Sequence, residues 1–185
     1  MRTRYVISDE GKCIASFTGS NEILELNTQG KKYTEKQPTS PSDWWNFETE
    51  SWESIGEKPS EVHEFDYTAK KWSDPRSLDQ VKEEKWNKIK LQRNQLEFGG
   101  FEFNGHTFDS DIASQSRIAT AAALGLEVEW TTKDNSTILL NSEQLKNLQV
   151  ALAQHVNKLH ELGRKARLKI AEATTKEEVE AVTLI

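Results

Sequence analysis

The last third of the chain repeats at an interval of seven. Leu145, Leu152, Leu159, Ala166 and Ala173 recur at that spacing, and Leu148, His155, Leu162 and Lys169 stand three residues after the first four. An apolar a/d seam sustained over three heptads prescribes a helix with one apolar stripe. Asn141 or Ser142 suits its N-cap, and a helix of about 30 residues is roughly 45 Å long. Such a stripe has to be covered, either by the rest of the chain as an internal core face or by another copy. The unbroken period of seven favours an oligomer, with Leu145, Leu148, Leu152, His155, Leu159 and Leu162 as its interface.

Upstream, the pattern predicts more helix, interleaved with hairpins. Ser77 and Gln80 form a capping box ahead of Leu78, Val81, Trp86, Ile89 and Leu96, so a helix runs from about Leu78 to Leu96 and stops at Gly99-Gly100. Asn104-Gly105 lies between alternating aromatics (Phe101, Phe103, Phe108), a strong hairpin signal. Asp109 or Ser110 caps a helix over Ile112–Ala123 that ends near Gly125. The stretches 127–131 and 137–140 alternate around Lys133-Asp134-Asn135 and predict another hairpin. Thr175 with Glu178 opens a short final helix.

The N-terminal part is different in kind. Residues 3–8 and 13–18 read as strands around the turn Asp9-Glu10-Gly11-Lys12, and Glu22–Leu26 reads as a third strand. Residues 43–75 hold Trp44, Trp45, Trp52 and Trp72, four of the six tryptophans. They contain an echo: Phe47 precedes Trp52 by five residues, and Tyr67 precedes Trp72 by five. Each interval suits a short hairpin whose aromatic ends meet across the strands. With two copies only, 20 residues apart, this is no repeat array. The aromatics make either a small core for a polar segment, a docking surface (Trp44, Trp45, Trp52, Tyr67 and Trp72), or a platform for sugar rings, and the polarity of the segment weighs towards a core. The expected architecture is α+β, with a β-rich domain over 1–75 and a mostly helical domain over 76–185.

Charge narrows the partners. The chain is 185 residues long, 35% hydrophobic and 29% charged, with net charge -6. An acidic chain is repelled by nucleic acid phosphates and by anionic membranes, so neither is an expected partner. The single cysteine, Cys13, permits no internal disulfide, and no apolar run has signal-peptide or membrane-span length, so synthesis in the cytoplasm as a soluble protein is expected. No phosphate loop, nucleophile elbow or Cys-x-x-Cys pair is present. His155 and His160 are five apart and point about 140° away from each other on a helix, which does not suit a metal pair. Asp109 and Asp111 suit helix capping better than acid–base or calcium chemistry. The expectation is a non-enzymatic protein with no cofactor.

The segment from Phe98 to Leu140 carries a resemblance. Gly100-Phe101, Phe108-Asp109-Ser110-Asp111, Ser114-Gln115 with Ile118, the Ala-rich helix, Trp130, Asp134-Asn135 and the long helix with His155 look like a domain of unknown function found at the C-terminal end of tailed-phage tail and tail-fibre-associated proteins. The likeness covers roughly residues 76–185. The N-terminal part resembles, more weakly, the start of tail-fibre assembly proteins, through proline-rich loops and aromatic–Trp hairpins such as Phe65-Asp66-Tyr67 with Trp72. The resemblance implies a virion structural component of the tail, baseplate or fibre, made in the host cytoplasm, whose partners are other tail proteins and further copies of itself. By analogy with fibre symmetry, the oligomer would be a trimer. A fibre-assembly chaperone is the alternative, and a receptor- or glycan-binding tip a further one. The resemblance brings no catalytic residues with it.

Overall fold

The computed structural model describes residues 1–185 and is α+β. The chain divides into two compact units, Met1–Arg76 and Ser77–Ile185.

In unit 1, β1 (Arg2–Ile7) pairs antiparallel with β2 (Cys13–Gly19) and with β3 (Lys32–Thr34), in the order β2-β1-β3. Between β2 and β3 the chain forms α1 (Asn21–Thr28), a helix where residues 22–26 are expected as a strand. The interval that matters is four: Leu24 and Thr28 are the buried positions, one helical turn apart, and the Thr28 hydroxyl donates back to Leu24 O at 2.7 Å. The helix is tied to β1 by Arg4, whose guanidinium donates to Glu25 Oε1 at 2.7 Å and Thr28 Oγ1 at 2.9 Å. Arg4 itself is only 7% exposed.

Two hairpins follow. β4 (Trp44–Asn46) pairs with β5 (Ser51–Glu53), and β6 (Glu64–Asp66) pairs with β7 (Lys71–Ser73). Their cross-strand aromatics are Trp45 opposite Trp52 and Phe65 opposite Trp72. The predicted partners, Phe47 and Tyr67, lie instead in the four-residue turns. The turns explain the shift. Asn46 Oδ1 accepts from the amides of Glu48 and Thr49, and Asp66 Oδ1 accepts from those of Thr68 and Ala69. Each turn then closes through a left-handed residue, Glu50 (φ 49) or Lys70 (φ 55). An Asx turn of this kind uses up the residue after the Asn or Asp before the chain can return.

Unit 2 is built on α4 (Ser142–Glu172), with Asn141 and Gln144 making a reciprocal capping box. α2 (Leu78–Phe98) runs antiparallel to it: Lys82 Nζ reaches Ala171 O at one end, and His155 Nε2 reaches Leu96 O at the other. Between them in sequence come the hairpin β8 (Phe101–Phe103)/β9 (His106–Phe108), α3 (Ile112–Leu124) and the hairpin β10 (Val128–Thr131)/β11 (Thr137–Leu140). The cap of α3 is Asp111, accepting from the amides of Ala113 and Ser114, and not Asp109 or Ser110. Ser110 is fully buried and joins two elements: its hydroxyl donates to Glu97 O and accepts from Gly100 N–H. The short α5 (Lys176–Glu180) closes the unit, capped by Thr175. No helix is long and apolar enough to cross a membrane.

Candidate interaction surfaces

The heptad seam is an internal face. Leu145 and Leu148 have no exposure, and Leu152 and Leu159 have 6% each. The N-terminal half of α4 packs Leu145, Leu148 and Leu152 against Phe101, Phe108, Ile118 and Leu140. The C-terminal half packs Ala166, Ile170 and Ala173 against Val81, Ile89, Val179 and Val182, with Leu162 partly buried beside them. These leucines are therefore not available to a second copy. The period of seven arose because α4 meets a near-antiparallel helix and two hairpins of its own chain, and helix–helix packing inside a domain imposes the same repeat as a coiled coil. His155 lies beside Phe101, with ring centroids 5.8 Å apart, while its Nε2–H donates to Leu96 O at 3.1 Å. His160 contacts Glu97 Oε2 at 3.1 Å. Both histidines thus contact the last turn of α2, His155 at a backbone carbonyl and His160 at a side-chain carboxylate.

The tryptophans divide differently. Trp45 is 7% exposed, and Trp44, Trp52, Tyr67 and Trp72 are half-buried. Trp52 meets Trp45 edge to face (5.3 Å, 72°) and Tyr5 likewise (6.3 Å, 82°). Phe65 meets Trp72 at 78° and Tyr67 at 81°. Lys70 Nζ sits 4.3 Å from the centre of the Trp44 ring, and Lys36 Nζ 5.7 Å from that of Trp45. Rings set edge to face, two of them with lysines over their faces, do not form the coplanar open platform that stacks a sugar. They make a small aromatic core whose rims reach solvent.

The two hairpins are copies of one module, 20 positions apart. The amides of Asp43 and His63 donate to Ser40 O and Ser60 O, each at 3.1 Å. Trp52 Nε1–H donates to Lys36 O at 2.7 Å, and Trp72 Nε1–H to Ile55 O at 2.8 Å. Each indole thus anchors its hairpin to the connector that precedes it. The aromatic echo in the sequence marks this pair of hairpins, but the rings that face the tryptophans, Trp45 and Phe65, lie two positions before Phe47 and Tyr67. Asp43 gave no signal: it is 2% exposed and its Oδ2 accepts from Thr39 N, Thr39 Oγ1 and Ser40 N. Arg4 was detectable as a charged residue on the inward face of β1, in phase with Val6.

Unit 2 offers two apolar clefts. One, of about 500 Å³, lies between α2 and the segment Val182–Ile185 and is lined by Ile89, Leu96, Lys85 and Lys88 among others. The other, of about 340 Å³, runs between α3 and β10 past Leu124, Leu126 and Trp130. The strongest titration effect belongs to a turn: hydrogen bonds from Thr132 and Ser136 lower the Asp134 carboxyl to about 2. Burial raises the Cys13 thiol and so disfavours its reactive thiolate.

Aromatic hairpins, buried leucines and capped turns define a protein whose visible chemistry is packing and hydrogen bonding. Its particular family follows from unit 2: the chain belongs to the family described as a domain of unknown function, DUF4376, whose model matches residues 80–183, more than half of the chain. No curated protein and no solved structure matches it.

Proposed function

We propose that this chain is a structural component of a tailed-phage virion, at the tail, baseplate or tail fibre, working by protein–protein contact and without catalysis. One observation carries the reading. The residues that resemble the tail-associated domain are the ones that specify the unit 2 fold. Gly100 (φ 104) turns the chain between α2 and β8, Phe101 and Phe108 are core, and Ser110 and Asp111 hold the entry to α3. Trp130 and Asp134-Asn135 belong to the hairpin that packs there. A likeness concentrated in residues that determine a fold supports common architecture more strongly than one scattered over a surface. The test is mass spectrometry of purified particles of the phage that encodes the chain: the protein is expected there in fixed stoichiometry, and particles without it would remove the proposal.

A second reading, a fibre-assembly chaperone, is favoured by the internal seam. With α4 spent on the chain's own core, the helix-mediated trimer no longer supports a permanent building block. Co-expression with the fibre protein separates the two readings, since a chaperone raises the yield of soluble, assembled fibre and leaves the mature particle.

A further inference from the structure

The duplicated hairpin exposes an edge that its twin has covered. In the first hairpin, the outer edge of β4 is occupied by the β1–β2 turn: Trp45 N–H donates to Gly11 O at 2.7 Å, and Lys12 bridges to Trp44. In an antiparallel pair, alternate residues point their amides away from the partner strand, and Trp45 is such a residue. Phe65 holds the same position in the second hairpin, with the same turn and the same pairing to a tryptophan. Nothing in the chain caps its amide, and Glu64 and Asp66 on either side of it are exposed.

We propose that the β6 edge, Glu64–Asp66, is a strand-addition site for an extended basic segment of a partner protein. The covered edge shows the chemistry of the occupant. Gly11 lies opposite Trp45 because its backbone (φ 86) is left-handed and a side chain there would strike Trp45 O. Lys12 lies opposite Trp44. Mapped onto β6, a small residue falls beside Phe65, and the position that Lys12 holds falls beside Glu64. Glu64 faces Ser73 across its hairpin, so no cation neutralises it there, and Glu61 adds a further exposed acid just upstream. Asp66 faces Lys71 and contributes less. A second copy is disfavoured: in a two-fold pairing of β6 with β6 centred on Phe65, Glu64 would lie opposite Asp66, and like charges directly opposite repel. Backbone hydrogen bonds supply the attraction and the opposite charge supplies the choice of partner.

This inference rests on the reading of the chain as a contact protein, but the two fail separately. Presence in the virion is decided on particles, and the edge is decided on the purified chain. The ¹⁵N-labelled full chain is titrated with the peptide acetyl-KVKGKVKV-amide and, separately, with acetyl-EVEGEVEV-amide, while amide shifts and exchange are followed by NMR. The basic peptide is expected to shift the amides of residues 63–66 and to slow exchange at Phe65 by about tenfold at saturation. The Trp45 amide, already bonded to Gly11, should not respond. Glu64→Lys should abolish the response while the Trp72 indole N–H signal keeps its position, showing that the hairpin is intact. No response at Phe65 at saturating peptide, shifts that map elsewhere, an equal response to the acidic peptide, or a response that survives Glu64→Lys would each overturn the proposal.

Discussion

Units 1 and 2 reach order by different means. Unit 2 buries seventeen apolar side chains, gathered along one 31-residue helix, whereas unit 1 buries four: Val6, Ile7, Leu24 and Trp45. Unit 1 makes up the difference with directional contacts. Its rings meet edge to face, its indoles donate to carbonyls, and the buried Arg4 and Asp43 are each held by hydrogen bonds. Apolar burial is roughly proportional to area and forgiving of detail, while an edge-to-face pair or a buried ion depends on position. Single substitutions should therefore act through volume and charge in unit 2, and through lost partners in unit 1.

The largest effect tests unit 2 at its centre. Leu148→Asp places an unpaired carboxylate where exposure is zero and should destabilise by about 5 kcal/mol. Far-UV circular dichroism should lose most of its helical signal. If the helix signal survived and only the mass in solution fell, α4 would be an intermolecular seam and the contrast between the units would collapse.

The next effect tests unit 1. Trp52→Ala removes two edge-to-face contacts and the bond to Lys36 O, for about 3 kcal/mol, whereas Trp72→Ala removes the Phe65 contact and the bond to Ile55 O, for about 2 kcal/mol. Near-UV dichroism and denaturant midpoints should rank them in that order. Equal losses would mean that the ring contacts contribute little and the indole bonds carry the hairpins.

A smaller effect shows that unit 2 also depends on a directional contact. Ser110→Ala should cost about 2 kcal/mol, because Glu97 O and Gly100 N–H lose their shared partner at a fully buried position. Thermal unfolding measures it, and Ser110→Cys, which keeps a weak donor and acceptor, should recover part of the loss.

The same contrast governs what could be read from the sequence. The α+β class, the capping boxes at Ser77 and Thr175, the start of the long helix at Asn141 or Ser142, and the Asn104-Gly105 hairpin follow from local rules that act within a few residues. The heptad was visible, but what covers it was not: the same stripe serves a trimer or the chain's own α2, and only tertiary structure decides. The α1 segment differs from its expectation as a strand because Ile23, Leu24 and Leu26 fit either element in so short a stretch, and the buried pair Leu24 and Thr28, four apart, decides for a helix. The aromatic hairpins were legible as a pair, yet their register depended on Asx turns at Asn46 and Asp66, which shift the facing residues from Phe47 and Tyr67 to Trp45 and Phe65.

The smallest predicted effect is electrostatic and confined to the β10–β11 turn. Hydrogen bonds from the Thr132 hydroxyl, then from the Ser136 amide and hydroxyl, hold the Asp134 carboxyl at about 2, below the usual value near 3.9 for an unfolded chain. The folded state thus prefers the carboxylate. Its contribution is fully present above about pH 4, declines as pH falls through the window between the two values, and is gone below about pH 2. Asp134 is at the surface, so solvent and salt weaken the effect, and it should appear as local fraying before any global transition. An NMR titration should place the Asp134 carboxyl midpoint near 2, with the Thr132 and Ser136 amides titrating alongside it and Trp130 undisturbed. Asp134→Asn should remove that titration while leaving the hairpin paired at neutral pH. A midpoint near 3.9 would show that the turn is held by its backbone bonds, Thr132 N–H to Ser136 O and Asn135 N–H to Thr132 O, and that the carboxylate only accompanies a geometry fixed without it.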